Sequence, residues 1–290
     1  MRMAMRHGVT AASLLALLAP AAMAKEPLVL KPSSPWHVDY DRDSCVLART
    51  FGQADELVSL RFEQFAPGHV YQVSTVGRPF RTSALNKKVA LTLGKGGLER
   101  EVTAMAGSSQ DGRPAMTFQL HLAHRLGDGE DQWRGLQAEE EAAIDQIGIG
   151  WKSPGAELVL ATGPFDKPLQ AMRTCMDELL THWGIDPAKH KTLAKPAMPK
   201  TNPAGWASSD DYPKSAAFQG QSALVHFRLT VGPDGRVKDC SIQNATKGEE
   251  FATQTCRLIS QRGRFSPAID AEGNPIASYY VNTVRWQMGR

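Results

Sequence analysis

The sequence lacks the residue spacings by which most metalloproteins and hydrolases announce themselves. No two of its four cysteines, Cys45, Cys175, Cys240 and Cys256, stand in the close C-x-x-C spacing a zinc site uses. No G-x-S-x-G elbow presents a serine nucleophile. Gly94-Lys95-Gly96-Gly97 departs from the G-x-x-x-x-G-K-[ST] order that cradles phosphate and reads as a hairpin turn. His121 and His124 are three apart, so on a strand they point to opposite faces and share no metal. Asp128-Gly129-Glu130-Asp131 is acidic but lacks the ligand register of a calcium loop. No catalytic residue, metal or cofactor is therefore expected. An excess of one charge is also missing: 33 Lys and Arg face 30 Asp and Glu, and Arg2 and Arg6 of that small surplus lie in the first 24 residues. So balanced a chain carries no electrostatic footprint for nucleic acid or an anionic membrane.

Long apolar runs are scarce too. The first 24 residues, MRMAMRHGVTAASLLALLAPAAMA, join a basic start to an apolar stretch and close on Ala22-Met23-Ala24, the small-x-small pattern of a cleaved signal peptide. Cleavage is expected between Ala24 and Lys25. The stretch is short against the roughly 20 residues of a membrane span, and Pro20 breaks its last turn. An exported, periplasmic protein is expected, with an uncleaved inner-membrane anchor as the alternative. In an oxidising compartment an even number of cysteines favours disulfides. Pairing by proximity gives Cys240–Cys256 and Cys45–Cys175. The first closes a loop worth roughly 3 kcal/mol in the chain-entropy model.

What the sequence does contain is alternation. Val58, Leu60 and Phe62, then Val89, Leu91 and Leu93, then Met116, Phe118, Leu120 and Leu122 recur with period two between Gly- and Pro-bearing turns. Residues 25–185 read as a β-rich domain, a sandwich or a strongly curved sheet, with a short helix over Ala142–Ile147 and a terminal helix capped by Asp166. Leu169, Met172, Met176, Leu179 and Leu180 form the apolar stripe of that helix, and Cys175 lies near it. Residues 186–206, rich in Pro, Lys and Ala without apolar periodicity, read as an extended linker. From 207 to 290 the order is strand, strand, helix, strand. Val225, Phe227, Leu229 and Val231 lead into Gly232-Pro233-Asp234-Gly235, a second strand runs to Cys240 and beyond, a helix spans about 249–261, and Gly273-Asn274-Pro275 opens a last strand at 277–286. The fold class is α+β.

Several features of this last segment coincide in order and spacing. They are Tyr212-Pro213 with Ala216, the strand Val225–Val231, the turn Pro233-Asp234-Gly235-Arg236-Val237, Phe265 with Pro267-Ala268, and Gly273-Asn274-Pro275-Ile276. Together they resemble the C-terminal domain of the TonB family over about residues 208–290. The resemblance implies a small ββαβ domain whose last strand pairs with an extended segment of an outer-membrane transporter or other envelope protein. The implied edge is Ser278, Tyr279, Tyr280, Val281, Asn282, Thr283, Val284 and Arg285. Strand addition of this kind draws its affinity from main-chain hydrogen bonds.

Three departures from the family's energy transducers weigh against an inner-membrane motor as partner. The only histidine of the leader is His7 in its basic start, the linker reaches at most ~65 Å fully extended, and a folded domain occupies the place of a long spacer. A periplasmic strand-pairing protein is therefore the leading expectation. An anchored energy transducer and an exported enzyme with a docking domain are the alternatives.

Overall fold

The computed structural model describes residues 26–80, 86–127, 133–151, 158–246 and 248–287. The cleavage site at Ala24 and Lys25, and the acidic run from Asp128, lie outside them.

Alternating apolar residues build one large sheet in the first domain. Its strands are β1 (Leu28–Leu30), β2 (His37–Tyr40), β3 (Cys45–Phe51), β4 (Val58–Gln64), β5 (Val70–Val76), β6 (Asn86–Leu93), β7 (Leu98–Ser108) and β8 (Pro114–His121). A small hairpin of β9 (Ala123–Arg125) and β10 (Trp133–Gly135) follows, and β11 (Ile147–Gly150) and β12 (Leu158–Leu160) return to the sheet. The order is β1-β12-β11-β6-β7-β8-β5-β4-β3-β2. The ends of this ten-stranded sheet meet. β1 runs parallel to β12, and the next residues exchange backbone hydrogen bonds with the end of β3: Gly52 donates to Lys31 at 2.8 Å and Ser33 donates to Thr50 at 2.9 Å. The β-rich domain thus takes the strongly curved form. Val58, Leu60 and Phe62 of β4 and Met116, Phe118 and Leu120 of β8 point into a shared core with Trp36 packed at its margin.

The short helix α1 (Ala138–Ala142) lies earlier than expected, because the acidic triplet Glu139-Glu140-Glu141 is inside the helix and not at its start. The terminal helix α2 (Asp166–His182) begins where expected, but Phe165 is its N-cap and Asp166 sits in the first turn, where a carboxylate favours the helix dipole. Buried Glu141 accepts a two-pronged contact from Arg173 at 2.7 and 3.1 Å, tying α1 to α2. Leu169, Met172, Met176, Leu179 and Leu180 are buried, and Cys175 bonds to Cys45 of β3. The domain's last helix is therefore stapled to one of its first strands.

Residues 186–206 differ from the extended reading. Asp186 accepts from the N–H groups of Ala188 and Lys189, Pro187 needs no donor partner in the first turn, and α3 (Pro187–Lys191) results. Farther on, β13 (Met198–Pro199) pairs with residues 265–266, and Ala197 and Trp206 are buried. These partners are distant in sequence, so local periodicity carries no trace of them.

The second domain opens with α4 (Lys214–Phe218), then β14 (Ala223–Val231), β15 (Val237–Ala245) and α5 (Glu249–Arg262). The short strands β16 (Phe265–Ser266), β17 (Ala268–Ile269) and β18 (Pro275–Ile276) lead to β19 (Ser278–Trp286). The sheet order is β15-β14-β19, all antiparallel. Val225, Phe227, Leu229 and Val231 face α5, whose Phe251, Leu258 and Ile259 are buried against them. Cys240 of β15 bonds to Cys256 of α5, and the Trp286 indole donates to Thr255 Oγ1 at 2.9 Å. Both outer strands are thus fastened to the helix.

The β14–β15 turn depends on one glycine. Gly235 has φ of 72°, and a Cβ there would come within 2.1 Å of the Phe265 carbonyl oxygen. Phe265 donates its N–H back to the Gly235 carbonyl at 3.0 Å, joining the hairpin tip to the chain after α5. An L side chain at such a φ costs about 1–2 kcal/mol before any clash. Gly235→Ala is therefore expected to lower the unfolding free energy by about 2 kcal/mol or more, measured by urea titration of the oxidised protein.

Candidate strand-pairing site

β19 is a terminal strand of its sheet, so among the described residues one row of its peptide groups has no strand beside it. Which residues supply that row follows from the ladder. In an antiparallel pair the N–H and C=O of one residue point to the same side and alternate along the strand. Leu224 of β14 exchanges bonds with Thr246, beyond β15: its N–H donates to the Thr246 hydroxyl at 2.9 Å, and its carbonyl accepts from Thr246 at 3.0 Å. Even-numbered residues of β14 therefore face β15, and odd-numbered ones face β19. Through the register Phe227↔Asn282, the peptide groups of Tyr280, Asn282 and Val284 are used inside the sheet. Those of Tyr279, Val281, Thr283 and Arg285 point outward. Thr283 agrees with this assignment, since its N–H donates to the Asn282 side-chain oxygen at 2.7 Å.

The eight residues of the expected edge play unequal parts. Ser278 is buried, its hydroxyl 2.8 Å from His190 Nε2. Tyr279 lies face to face with His190 at 4.8 Å and edge-on to Trp183 at 5.7 Å, and burial pushes its phenol well above its ordinary value. Tyr280 packs on Phe265 and Trp206, and its hydroxyl accepts from the Asn282 amide at 2.7 Å. Val281 and Val284 are half-buried, while Asn282, Thr283 and Arg285 are exposed. The accessible edge is thus its second half, 281–285.

Beside that half runs a groove of about 1190 Å³ on the helix side of the sheet. One bank is β19, with Tyr280, Val284 and Trp286 at its floor; the other is the segment 198–209 with Trp206. Trp206 is only 4% exposed, and its indole donates to Thr201 Oγ1 at 3.1 Å.

The opposite face of the sheet carries residues that sequence reading passed over. His226 and Arg228 alternate with the core residues of β14 and look like a solvent face, yet Arg228 is only 7% exposed. Its guanidinium lies 4.4 Å from the centre of the Trp183 ring, a cation–π contact. His226 stacks on Phe65 at 4.8 Å, and its Nδ1 lies 2.8 Å from the Thr283 hydroxyl. The Gln243 amide donates to the carbonyls of Asp43 at 3.0 Å and Phe65 at 2.7 Å. The first domain therefore covers the face of the small sheet that α5 leaves open.

Elsewhere, His121 stacks on Trp133 at 4.4 Å, while His124 Nε2 lies 2.8 Å from Glu140. The two histidines serve different neighbourhoods. Among the described residues no group of three or more His, Cys, Asp or Glu side chains could hold a metal ion, and no helix is long and apolar enough to cross a membrane.

Residues 208–288 match the family model of the Gram-negative bacterial TonB protein C-terminal domain. The match covers α4 through β19 and stops short of the ten-stranded sheet and of α2, α3 and β13. No curated protein matches the chain. The TonB-type domain accordingly comes joined to a β-rich domain that the family model does not describe.

Burial of His190 and His226 at the junction lowers both from their ordinary value of 6.5. Each is therefore kept neutral in the fold, and the junction's contribution is complete above pH 6.5 and shrinks as pH falls through the lowered folded-state values. Thermal unfolding is expected to show falling stability from pH 7 to pH 5, with a shallower fall in the His190→Gln, His226→Gln double variant.

Proposed function

We propose that this chain is a periplasmic protein whose TonB-type domain binds an extended segment of an envelope protein, an outer-membrane transporter in the first instance, by adding a strand to β19. The observation that carries the reading is the outward row of peptide groups at Val281, Thr283 and Arg285 beside an open groove, in a domain matched to the TonB C-terminal family. An added strand would meet main-chain donors and acceptors along its length, while alternate side chains entered the groove. The leader and two disulfides, Cys45–Cys175 and Cys240–Cys256, suit an oxidising, extracytoplasmic location.

The folded connection favours strand capture over energy transduction. A transducer must reach across the periplasm, whereas residues 186–206 are used up in α3, β13 and the Trp206 contact, and the sheet is held on the first domain. The domain would thus present its edge from a fixed base.

A photo-crosslinking amino acid placed at Asn282 or Thr283 in cells is expected to capture an outer-membrane protein through one extended segment, identified by mass spectrometry. The same probe at Ser260, exposed on α5, serves as control. Equal labelling at the two places, or none at the edge, overturns the reading. The mature protein is expected to begin at Lys25 and to fractionate with periplasmic contents.

A further inference from the structure

Most of the bank of the groove opposite β19 lies outside the family-matched segment. Residues 198–207 precede it, and this chain holds them in place with contacts of its own. Met198 and Pro199 pair with Ser266 and Phe265, and the Lys200 N–H donates to the Arg264 carbonyl at 2.8 Å. At the far end the Trp206 carbonyl accepts from Arg262 at 2.9 Å, and Arg262 also grips the Asp211 carboxylate at 2.6 and 2.8 Å. A bank braced at both ends is a fixed surface that an incoming strand must fit.

Its charge is one-sided. Lys200 stands in the bank and Arg285 at an outward-facing position of β19; both are exposed, and neither has an ion-pair partner among the described residues. Among the described residues none bordering the groove is an aspartate or glutamate. Of the two carboxylates that follow the bank, exposed Asp210 does not border the groove, and Asp211 is ion-paired with Arg262 and accepts from the Ser208 hydroxyl; that guanidinium holds its carboxyl well below the usual range. A segment laid along β19 therefore meets positive charge in the bank and on the strand, with no groove carboxylate to offset it.

We infer that the bank of residues 198–207 makes this edge selective, so that the segment it accepts is an acidic one, with Asp or Glu side chains flanking a β-forming core. The inference rests on the strand-pairing reading and adds the chemistry of the partner to it. The core of such a segment lies against Tyr280, Val284 and Trp286 on the groove side, and its carboxylates meet Lys200 and Arg285.

The test uses the full-length oxidised protein and fluorescein-labelled peptides of about ten residues, long enough to form one strand. They share a Val/Thr alternation and differ only in flanking Glu, Gln or Lys residues. By anisotropy at low salt the Glu peptide is expected to bind about tenfold tighter than the Lys peptide, a gap that narrows at raised salt. The Lys200→Glu, Arg285→Glu variant should reverse the order; its side chains are exposed and unpaired, and an unchanged melting temperature confirms its fold. Thr283→Pro removes one outward N–H and leaves the main-chain bonds to β14, but it also removes the hydroxyl contact to His226; it should abolish binding of all three peptides, whereas Thr283→Val, which loses that contact alone, should bind them like the parent. If all three bind equally and Thr283→Pro still abolishes binding, charge selectivity is overturned while strand pairing stands. If none binds, or Thr283→Pro changes nothing, strand pairing falls and the selectivity falls with it.

Discussion

The side-chain amide of Gln243 donates to two backbone carbonyls of the first domain, those of Asp43 and Phe65. A small sheet with one helix has two faces, and only one can be covered by that helix. Gln243, with His226 on Phe65 and Arg228 on Trp183, commits the other face to the first domain. Once both faces are covered, only the edges remain, and one of these, β15, carries Gln243 and the disulfide to α5. On the proposed reading the strand left for a partner is β19. If a partner strand binds this sheet, the first domain would confine it to one edge.

The two disulfides extend the same constraint. Cys45 lies close in sequence to Asp43, and Cys175 lies on the helix that ends beside Trp183, so the staple of the first domain secures the surface on which the second domain rests. Cys240 and Cys256 secure the sheet to its helix on the other side of that contact. Between them the junction is polar and aromatic, with stacked rings and a cation–π pair in place of a large aliphatic seam. Such contacts fix orientation more strictly than apolar burial does, because hydrogen bonds and ring stacks are directional.

Much of this was legible in the sequence where local chemistry decides structure. Pro233-Asp234-Gly235 can only turn, Cys240 and Cys256 lie close enough in sequence to pair, and Gly273-Asn274-Pro275 precedes the last strand. The docked face was not legible, because a strand that alternates core residues with His226, Arg228 and Thr230 has the same pattern whether its polar side meets water or another domain. The bank at 198–207 was hidden for a different reason. Its structure comes from pairing with residues 264–266, some sixty positions away, and its prolines suggest an extended tether when read alone. Closure of the large sheet escaped for the same cause, since it rests on a few bonds between residues 31–33 and 50–52.

The bond from the Thr283 N–H to the Asn282 side chain bears on how an exposed edge survives in a crowded compartment. An open strand is a template for any other strand, including that of a second copy of the same chain. Here the central donor of the edge is already occupied, by a neighbour one residue away that never has to be found by diffusion. A chance encounter must displace that amide and gains only one exchanged bond, whereas a segment that also fills the groove gains along its whole length. If the edge pairs with a partner strand, Asn282 would act as a threshold, turning away brief contacts and yielding to a long, matched one.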